Sequence, residues 1–424
     1  MKFIRFETRV SKFIFYLFRL KNNDFSRVFA GYLTKFYRRS LVNFLDFLFL
    51  LCYNRQEKNF LSKTFTNRRN SMATINDIAV KLGISKSTVS KGLNNATDIS
   101  EEMRRKILET AVEIGYINKR IQKHEKKICI FIANMEYDTP YQFAHDIILG
   151  FKQKAEPEGW TVDLVDATEE MQRMTPYEVY MMEHLYAGAF VLGFSLLDPW
   201  MKEFKTTKIP TVLYDNYIKS NPNVASIGCD SQEGFELAVK HLTKLGHEKI
   251  GLISGPPESY IMQARYNAYI NALEKYGLEI NKNYIGIGYY VAESTRVYIP
   301  KLIEQGVTAI LFSHDARAIA ALTECNDRGI RIPQDLSIIG FDDLPMTEYT
   351  DPALTTIRQD RLSLGKCGYY AMNCLLNKVP IGSITLRATL VERQSTGPVP
   401  EKPIVLKTNK ETNFKTKSKK MKLN

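Results

Sequence analysis

From Ile128 onward the chain repeats one pattern, a short apolar run without polar alternation followed by a longer amphipathic stretch. The runs are Ile128–Ala133, Thr161–Val165, Ala187–Gly193, Thr211–Tyr214, Ala225–Gly228, Lys249–Ser254, Tyr284–Gly288, Ala309–Phe312 and Leu336–Gly340. A strand with one wet face alternates apolar and polar residues. Runs that do not alternate are covered on both faces, which a mostly parallel sheet between helices provides. Glu233–Leu245, Tyr260–Tyr276 and Ala316–Arg328 have the length and spacing of the connecting helices. The class is α/β, and about 270 residues of this pattern suit two linked doubly wound sheets better than one.

In such sheets ligands lie beyond the carboxyl ends of the strands. Asp215 follows Thr211–Tyr214, His314 and Asp315 follow Ala309–Phe312, and Asp342 and Asp343 follow Leu336–Gly340. Arg265 lies on the helix after the turn Ser254-Gly-Pro-Pro257. Carboxylates that accept from hydroxyls, with a guanidinium that donates, make a polyol-binding set. For any one of these residues, capping or a solvated loop fits the spacing equally well.

Upstream, between Met72 and Ile117, the periodicity is helical. Thr74-Ile-Asn-Asp77 reads as a capping box in its Asp form, Ile78, Ala79 and Leu82 form one apolar face, and Gly83 ends the helix. Ser85 caps a second helix over Lys86–Asn94, in which Val89 and Leu93 point inward and Lys86, Ser87, Ser90 and Lys91 outward. A third helix opens at Ser100-Glu-Glu and runs to Gly115-Tyr116. Two helices joined by a Gly-containing turn, the second with a Ser/Thr/Lys face, follow the helix-turn-helix plan. In that plan Lys86, Ser87 and Lys91 are placed to meet base edges, Lys91 through guanine O6 or N7. The rival reading is a three-helix protein-binding module with a solvated face, and charge alone does not decide it, since residues 72–127 carry 11 basic and 7 acidic residues.

The net charge of +12 is unevenly spread. Residues 1–71 hold 15 Lys/Arg against 4 Asp/Glu, and the rest of the chain is nearly balanced with 43 against 42. That first segment has thirteen Phe and a single Gly. Its apolar stretches, Phe13–Phe18 and Leu41–Tyr53, fall short of the ~20 residues that span a bilayer, and it lacks the pattern of a secretory signal. It is compatible with a membrane-surface anchor, with a partner-binding extension, or with an untranslated stretch ahead of a start at Met72. The last is favoured because AT-rich non-coding sequence reads as Phe, Lys, Asn, Leu and Tyr. From Glu401 a tail of 8 Lys and 2 Glu is expected to be disordered, and it has no leucine heptad. Removing these parts leaves 24 basic and 33 acidic residues in 128–400, compatible with a neutral sugar ligand.

The segment Ala73-Thr-Ile-Asn-Asp-Ile-Ala-Val-Lys-Leu-Gly-Ile-Ser-Lys-Ser-Thr-Val-Ser-Lys-Gly-Leu-Asn94, with Ile99-Ser-Glu-Glu and Gly115-Tyr116 after it, resembles the DNA-binding headpiece of the LacI/GalR bacterial repressors. Val239–His247, Ile250-Gly-Leu-Ile-Ser-Gly255, Arg265–Tyr269, Leu336–Asp343 and Leu354–Asp360 are similar to landmarks of the same family, so the resemblance covers roughly residues 73–397. It implies a headpiece over 72–117, a linker over 118–127, and a periplasmic-binding-protein-like core of two hinged lobes over 128–397, with a basic tail from 398. The first lobe would take about 128–229 and 361–382, and the second about 230–360 and 383–397. It also implies a homodimer on a pseudo-palindromic double-stranded operator. Thr74, Ser85, Thr88, Ser90 and Asn94 would hold phosphates beside the base-reading Lys86, Ser87 and Lys91. By position, Asp215, Arg265 and Asp342 match effector-contacting residues. His314 falls where the family often has Asn or another polar group, and Gln359 lies near the crossover between lobes. One departure stands out. The family's hinge helix carries a Leu that wedges into the minor groove, whereas Ile117–Lys127 is shorter and has none, so wedge-driven kinking does not carry over. A basic linker is expected to follow the phosphates instead.

The function expected is a sequence-specific cytoplasmic, nucleoid-associated transcriptional regulator. It would be a repressor of carbohydrate genes controlled by a small sugar-like effector, with no catalytic residues, metal or cofactor. The rival class is a two-lobed solute-binding protein of transport. Gly255-Pro-Pro257 lacks the Gly-Lys-Ser/Thr of a phosphate loop, no G-x-S-x-G occurs, and the six Cys form no CxxC. His241 and His247 read as structural, Met181 and Met182 as core, and the aromatics of Tyr137–Phe143 as core or pocket wall.

Overall fold

The computed structural model describes residues 73–116 and 126–402, and these described residues fall in one compact unit. The expectations for the 1–71 extension, for the linker over 117–125 and for the tail from 403 lie outside the described residues.

The headpiece is built from α1 (Ile75–Leu82), α2 (Lys86–Leu93) and α3 (Glu101–Glu113). Each start is fixed by a side chain that takes an unpaired backbone N–H of the first turn. Thr74 and Asp77 close a reciprocal capping box, Ser85 accepts from the Thr88 N–H, and Ser100 accepts from the Met103 N–H. Gly83 ends α1 in the left-handed region with φ 67°. Ile78, Val89, Leu93, Ile107, Leu108 and Ala111 form the core these helices share.

The first lobe contains β1 (Lys127–Ile132), α4 (Phe143–Ala155), β2 (Thr161–Asp166), α5 (Glu169–Met174), α6 (Tyr177–Glu183), β3 (Ala189–Leu192), α7 (Pro199–Glu203), β4 (Thr211–Tyr214) and β5 (Val224–Cys229). The chain then crosses to the second lobe for α8 (Ser231–Lys244), β6 (Ile250–Ser254), α9 (Tyr260–Lys275), β7 (Ile285–Ile287), α10 (Val291–Glu304), β8 (Ala309–Phe312), α11 (Asp315–Asp327), β9 (Ser337–Asp342) and β10 (Thr355–Arg358). It returns for α12 (Arg361–Leu376) and β11 (Ser383–Leu386), and crosses a third time into β12 (Thr389–Val391). Each lobe has a six-stranded sheet, in the order β11-β5-β4-β3-β1-β2 and β12-β10-β9-β8-β6-β7. Every ladder is parallel except that between β10 and β12.

Two details differ from the sequence reading. Ser383–Leu386 pairs with Ser226–Cys229 in the first lobe, so the third crossing falls at Arg387 and Ala388 rather than at 383. There the Arg387 guanidinium and the Ala388 N–H both engage the Glu233 carboxylate. The strands β10, β11 and β12 carry Thr, Ser and Arg among their apolar residues because two of them are sheet edges. A search for unbroken apolar runs passes over them.

Helices α4 and α12 cross closely over the first sheet, each through a glycine. A Cβ on Gly365 would lie 1.9 Å from the Ile147 carbonyl oxygen, and one on Gly150 2.0 Å from that of Leu362. The crossing buries Ile147, Phe151, Leu364 and Tyr369. Gly365→Ala is expected to destabilise the protein by about 2 kcal/mol or more through overpacking. Gly382→Ala, whose Cβ would meet nothing within 4 Å, should be near neutral. Urea unfolding of the two variants measures the difference.

Candidate functional site

The outer face of α2 presents Lys86, Ser87 and Lys91, all exposed, with Thr88, Ser90 and Asn94 half-buried beside them. Several of the proposed contacts are already engaged within the chain. The Thr74 hydroxyl donates to the Asp77 carboxylate and accepts from its N–H, so its role here is to cap α1. Ser85 accepts from the Thr88 N–H at 3.0 Å. The Asn94 amide donates to the Ser90 carbonyl at 2.7 Å. Lys91 is ion-paired with Asp98, which lies beyond the end of α2. Among the described residues, only Lys86 and Ser87 at the start of the helix have no such engagement.

The headpiece packs on the first lobe through α3 and α6. Val179 and Met182 of α6 are buried in the headpiece core, and the Arg105 guanidinium donates to the Met174 carbonyl at 3.1 Å. Helix α6 is in turn fixed to its own lobe, where Tyr177 lies edge-on to Trp200, Phe204 and Phe131.

The second constellation gathers where the carboxyl ends of both sheets face one another. Asp342 ends β9 and is buried with φ 128°, and Asp343 follows at φ 55°, both in the region that favours glycine. Two such residues in succession are strained and persist because neighbours hold them. The Asp315 carboxylate accepts from the Leu344 N–H at 2.8 Å and from the Thr356 hydroxyl at 2.6 Å, and Asp343 is paired with Arg358 and Arg393. Gly340 leaves the room for Asp315, since a Cβ there would lie 2.1 Å from its oxygen.

From Asp342 a chain of hydrogen bonds crosses between lobes. Gln359 Nε2 donates to Asp342 Oδ1 at 2.7 Å, and the Tyr214 hydroxyl donates to Gln359 Oε1 at 3.2 Å. Arg265 faces Asp342 at 3.5 Å, stacks over the Phe341 ring at 3.9 Å and donates to the Ser313 carbonyl. Asp215 follows Tyr214 at φ 51°. Arg265, Asp342, Gln359 and Asp215 therefore cluster at the ends of strands from both lobes. At the cleft mouth the lobes touch again, with the Leu196 N–H on the Glu258 carbonyl at 2.9 Å and the Tyr217 and Tyr260 rings stacked 6.5 Å apart.

Burial sets the protonation of this cluster. It pushes the Asp215 carboxyl up to about 6, against the pull of Arg265. It raises Asp342 as well, against Arg265, the Gln359 hydrogen bond and Arg361. Asp315 rises to about 7 through burial and the neighbouring Asp342. His314 is pushed down to about 3 by burial and then by Arg317 and Arg265, which keeps the ring neutral. Its Nε2 accepts from Arg317 Nε at 3.1 Å, so this nitrogen supports Arg317 rather than reaching outward. Arg317 in turn ties down the Ser294 hydroxyl and the Gly288 carbonyl.

The sequence reading missed Tyr214, Ser313 and Arg361. Tyr214 and Ser313 end or directly follow apolar runs and carry no charge that would mark them out. Arg361 follows β10, a strand that itself escaped notice. The histidines His241 and His247 are structural in their contacts, bonding to Thr396, and to Thr308 and the Gly397 carbonyl. Met181 is core, whereas Met182 belongs to the headpiece contact. Tyr141 is exposed, while Phe143 lies 6.0 Å from the Tyr214 ring. Among the described residues no helix is long and apolar enough to cross a membrane, and no group of His, Cys, Asp and Glu could hold a metal ion.

A helix-turn-helix headpiece packed on a hinged two-lobed core with a polar cleft defines a DNA-binding regulator that responds to a small molecule. Residues 74–119 match the bacterial regulatory proteins of the lacI family, and residues 239–396 match a periplasmic binding protein-like domain. The chain is 28% identical over 345 residues to the HTH-type transcriptional repressor CytR of Escherichia coli (strain K12), covering 78% of this chain and 99% of that protein. It is 27% identical over 312 residues to the repressor PurR of Aliivibrio salmonicida, covering 73% and 92%. The fold is similar to a transcriptional regulator CelR–cellobiose complex (TM-score 0.57, 21% identity, 76% and 99% covered). It is likewise similar to the lac repressor dimer bound to operator and the anti-inducer ONPF (TM-score 0.54, 24% identity, 77% and 99% covered). The chain thus joins a DNA-binding domain of the lacI family to a periplasmic binding protein-like domain, the two parts of a transcriptional regulator of LacI/GalR type.

The raised Asp215 carboxyl has a measurable consequence. In the folded state it holds a proton up to about pH 6, whereas the unfolded chain releases it near its ordinary value of 3.8. Its contribution to stability therefore grows as pH falls from 7 towards 4. Asp215→Asn is expected to stabilise the ligand-free protein at pH 7.5 by roughly 3 kcal/mol at most. That gain should shrink to nothing near pH 4, as read from urea unfolding of variant and wild type at both pH values.

Proposed function

We propose that the protein is a cytoplasmic, nucleoid-associated repressor of carbohydrate-metabolism genes, and that it is not an enzyme. It would act as a homodimer on a pseudo-palindromic operator, and binding of a small polyhydroxylated effector in the cleft would change its hold on DNA. The observation that carries the effector reading is the set of buried Arg265, Asp342 and Gln359 with half-buried Asp215 at strand ends of both lobes. These groups offer several acceptors and one planar donor to a ligand rich in hydroxyls. Asn216 adds a buried Oδ1 that has no hydrogen-bond partner within the protein. A ligand touching both lobes favours their closed arrangement by its differential affinity for it. The same set gives no nucleophile with an adjacent base, and the headpiece sets the protein apart from a solute carrier.

On the DNA side, Lys86, Ser87 and Lys91 are the base-reading candidates, and Ser85, Thr88, Ser90 and Asn94 line the path of the phosphates. Thr74, engaged in its capping box, would reach phosphate only by giving up the Asp77 bond. Lys91 must likewise leave Asp98 to reach a base.

The test is operator selection from a random DNA pool with the full chain, followed by binding titrations on the selected site. Lys91→Ala should weaken operator binding by about 1–3 kcal/mol and relax the preference at one base pair of each half-site. Asp98→Asn, which releases Lys91, should tighten binding to all sequences. Failure to enrich any two-fold symmetric site would overturn the reading.

A further inference from the structure

The buried polar atoms that lack a hydrogen-bond partner include three at the cleft, Arg265 Nε, Arg361 Nη1 and the Ser313 hydroxyl. Arg265 is 3% exposed, Arg361 7% and Ser313 fully buried. The two guanidinium groups come from opposite lobes, Arg265 on α9 and Arg361 at the first position of α12. Arg265 faces Asp342 at 3.5 Å, Asp342 is joined through Gln359 to Tyr214, and the Tyr214 ring lies 6.0 Å from that of Phe143, beside which Arg361 sits, so the two guanidinium groups flank one hydrogen-bonded path across the cleft.

Their partners do not use up what they offer. Arg361 holds one carboxylate oxygen of Asp146 at 3.1 Å and lies 6.0 Å from the centre of the Phe143 ring, leaving Nη1 bare. Arg265 donates one nitrogen to the Ser313 carbonyl and holds Asp342 only at 3.5 Å, leaving Nε bare. Asp342 Oδ1 is itself shared with Gln359. A guanidinium has donors and no acceptor, so two bare guanidinium nitrogens call for ligand atoms that accept. Neutral hydroxyls can fill such places. A planar or tetrahedral oxyanion fills both at once, and with charge-assisted bonds.

We propose that the effector carries an oxyanion, as a phosphate monoester or a carboxylate, received between Arg361 of the first lobe and Arg265 of the second with the Ser313 hydroxyl beside them. The group lies between the lobes and bonds to both, so it is the part of the ligand that draws them together. This rests on the cleft being the effector site, and it narrows the ligand from any polyol to an acidic one. Asp146 then competes with the ligand for Arg361.

The test uses the full chain and matched probes: glucose against glucose 6-phosphate and gluconate, ribose against ribose 5-phosphate, and inorganic phosphate at constant ionic strength. Binding is read by calorimetry and thermal shift. The acidic member of at least one pair should bind about ten-fold to a hundred-fold more tightly than its neutral parent. The phosphorylated and carboxylated probes decide which oxyanion is preferred. That advantage should vanish in Arg361→Gln, return in part in Arg361→Lys, and grow in Asp146→Asn. The opposite effects of the two substitutions guard against misreading a folding defect. An acidic advantage that survives Arg361→Gln would overturn the proposal. So would equal or weaker binding of every acidic probe, inorganic phosphate included. If neutral sugars bind in that case, the cleft remains the effector site and only the charge assignment falls. If no probe, neutral or acidic, moves either the melting curve or operator affinity, the effector reading falls with it.

Discussion

The hydrogen-bonded path from Asp342 through Gln359 to Tyr214 joins the ends of three strands in two lobes, and the cleft is organised around it. Asp342 can occupy its strained position only because Asp315, beneath it, holds the turn through the Leu344 N–H and Thr356. Gly340 is small enough to admit Asp315. Arg265 is then set against Asp342 by its stack on Phe341 and its bond to the Ser313 carbonyl. Each of these groups is costly to bury alone, and together they are mutually satisfied except at Arg265 Nε and the Ser313 hydroxyl.

Movement at the cleft has a physical route to the headpiece. The first lobe carries α6, whose Val179 and Met182 are part of the headpiece core and whose Tyr177 is fixed among Phe131, Trp200 and Phe204. A rotation of that lobe therefore takes the headpiece with it. The headpiece follows through packed side chains as well as through its covalent connection. Coupling of this kind requires two arrangements of the lobes that ligand and DNA weight differently. The three crossings of the chain, with Glu233 clamping Arg387 and Ala388 at the last, allow a hinge without separating the lobes.

Much of this was legible in the sequence. The unbroken apolar runs specified the central strands of both sheets, because residues covered on both faces have no reason to alternate. The caps Thr74, Ser85 and Ser100 announced the headpiece helices. Asp215, Arg265 and Asp342 were found by their position after strands and by family likeness together. What escaped depended on pairings that are distant in sequence. Ser383–Leu386 is polar at alternate positions because it is a sheet edge, so its membership in the first lobe shows only in its register with β5. Arg361 looked like any charged residue at a helix start, and its meaning comes from Asp146 and Asp342, 215 and 19 positions away. His314 follows a strand as a ligand-contacting residue would, whereas its Nε2 is taken by Arg317, three residues on.

The central claim is that the arrangement of the lobes sets the hold on DNA. It is tested most directly by locking them. A disulfide between cysteines placed at Leu196 and Glu258, whose backbones already meet at 2.9 Å, would fix the cleft mouth shut in a chain freed of its native cysteines. Operator affinity measured before and after reduction of that disulfide should differ by about ten-fold or more, the coupling expected of such a switch. Equal affinity in the locked and released states would contradict the account.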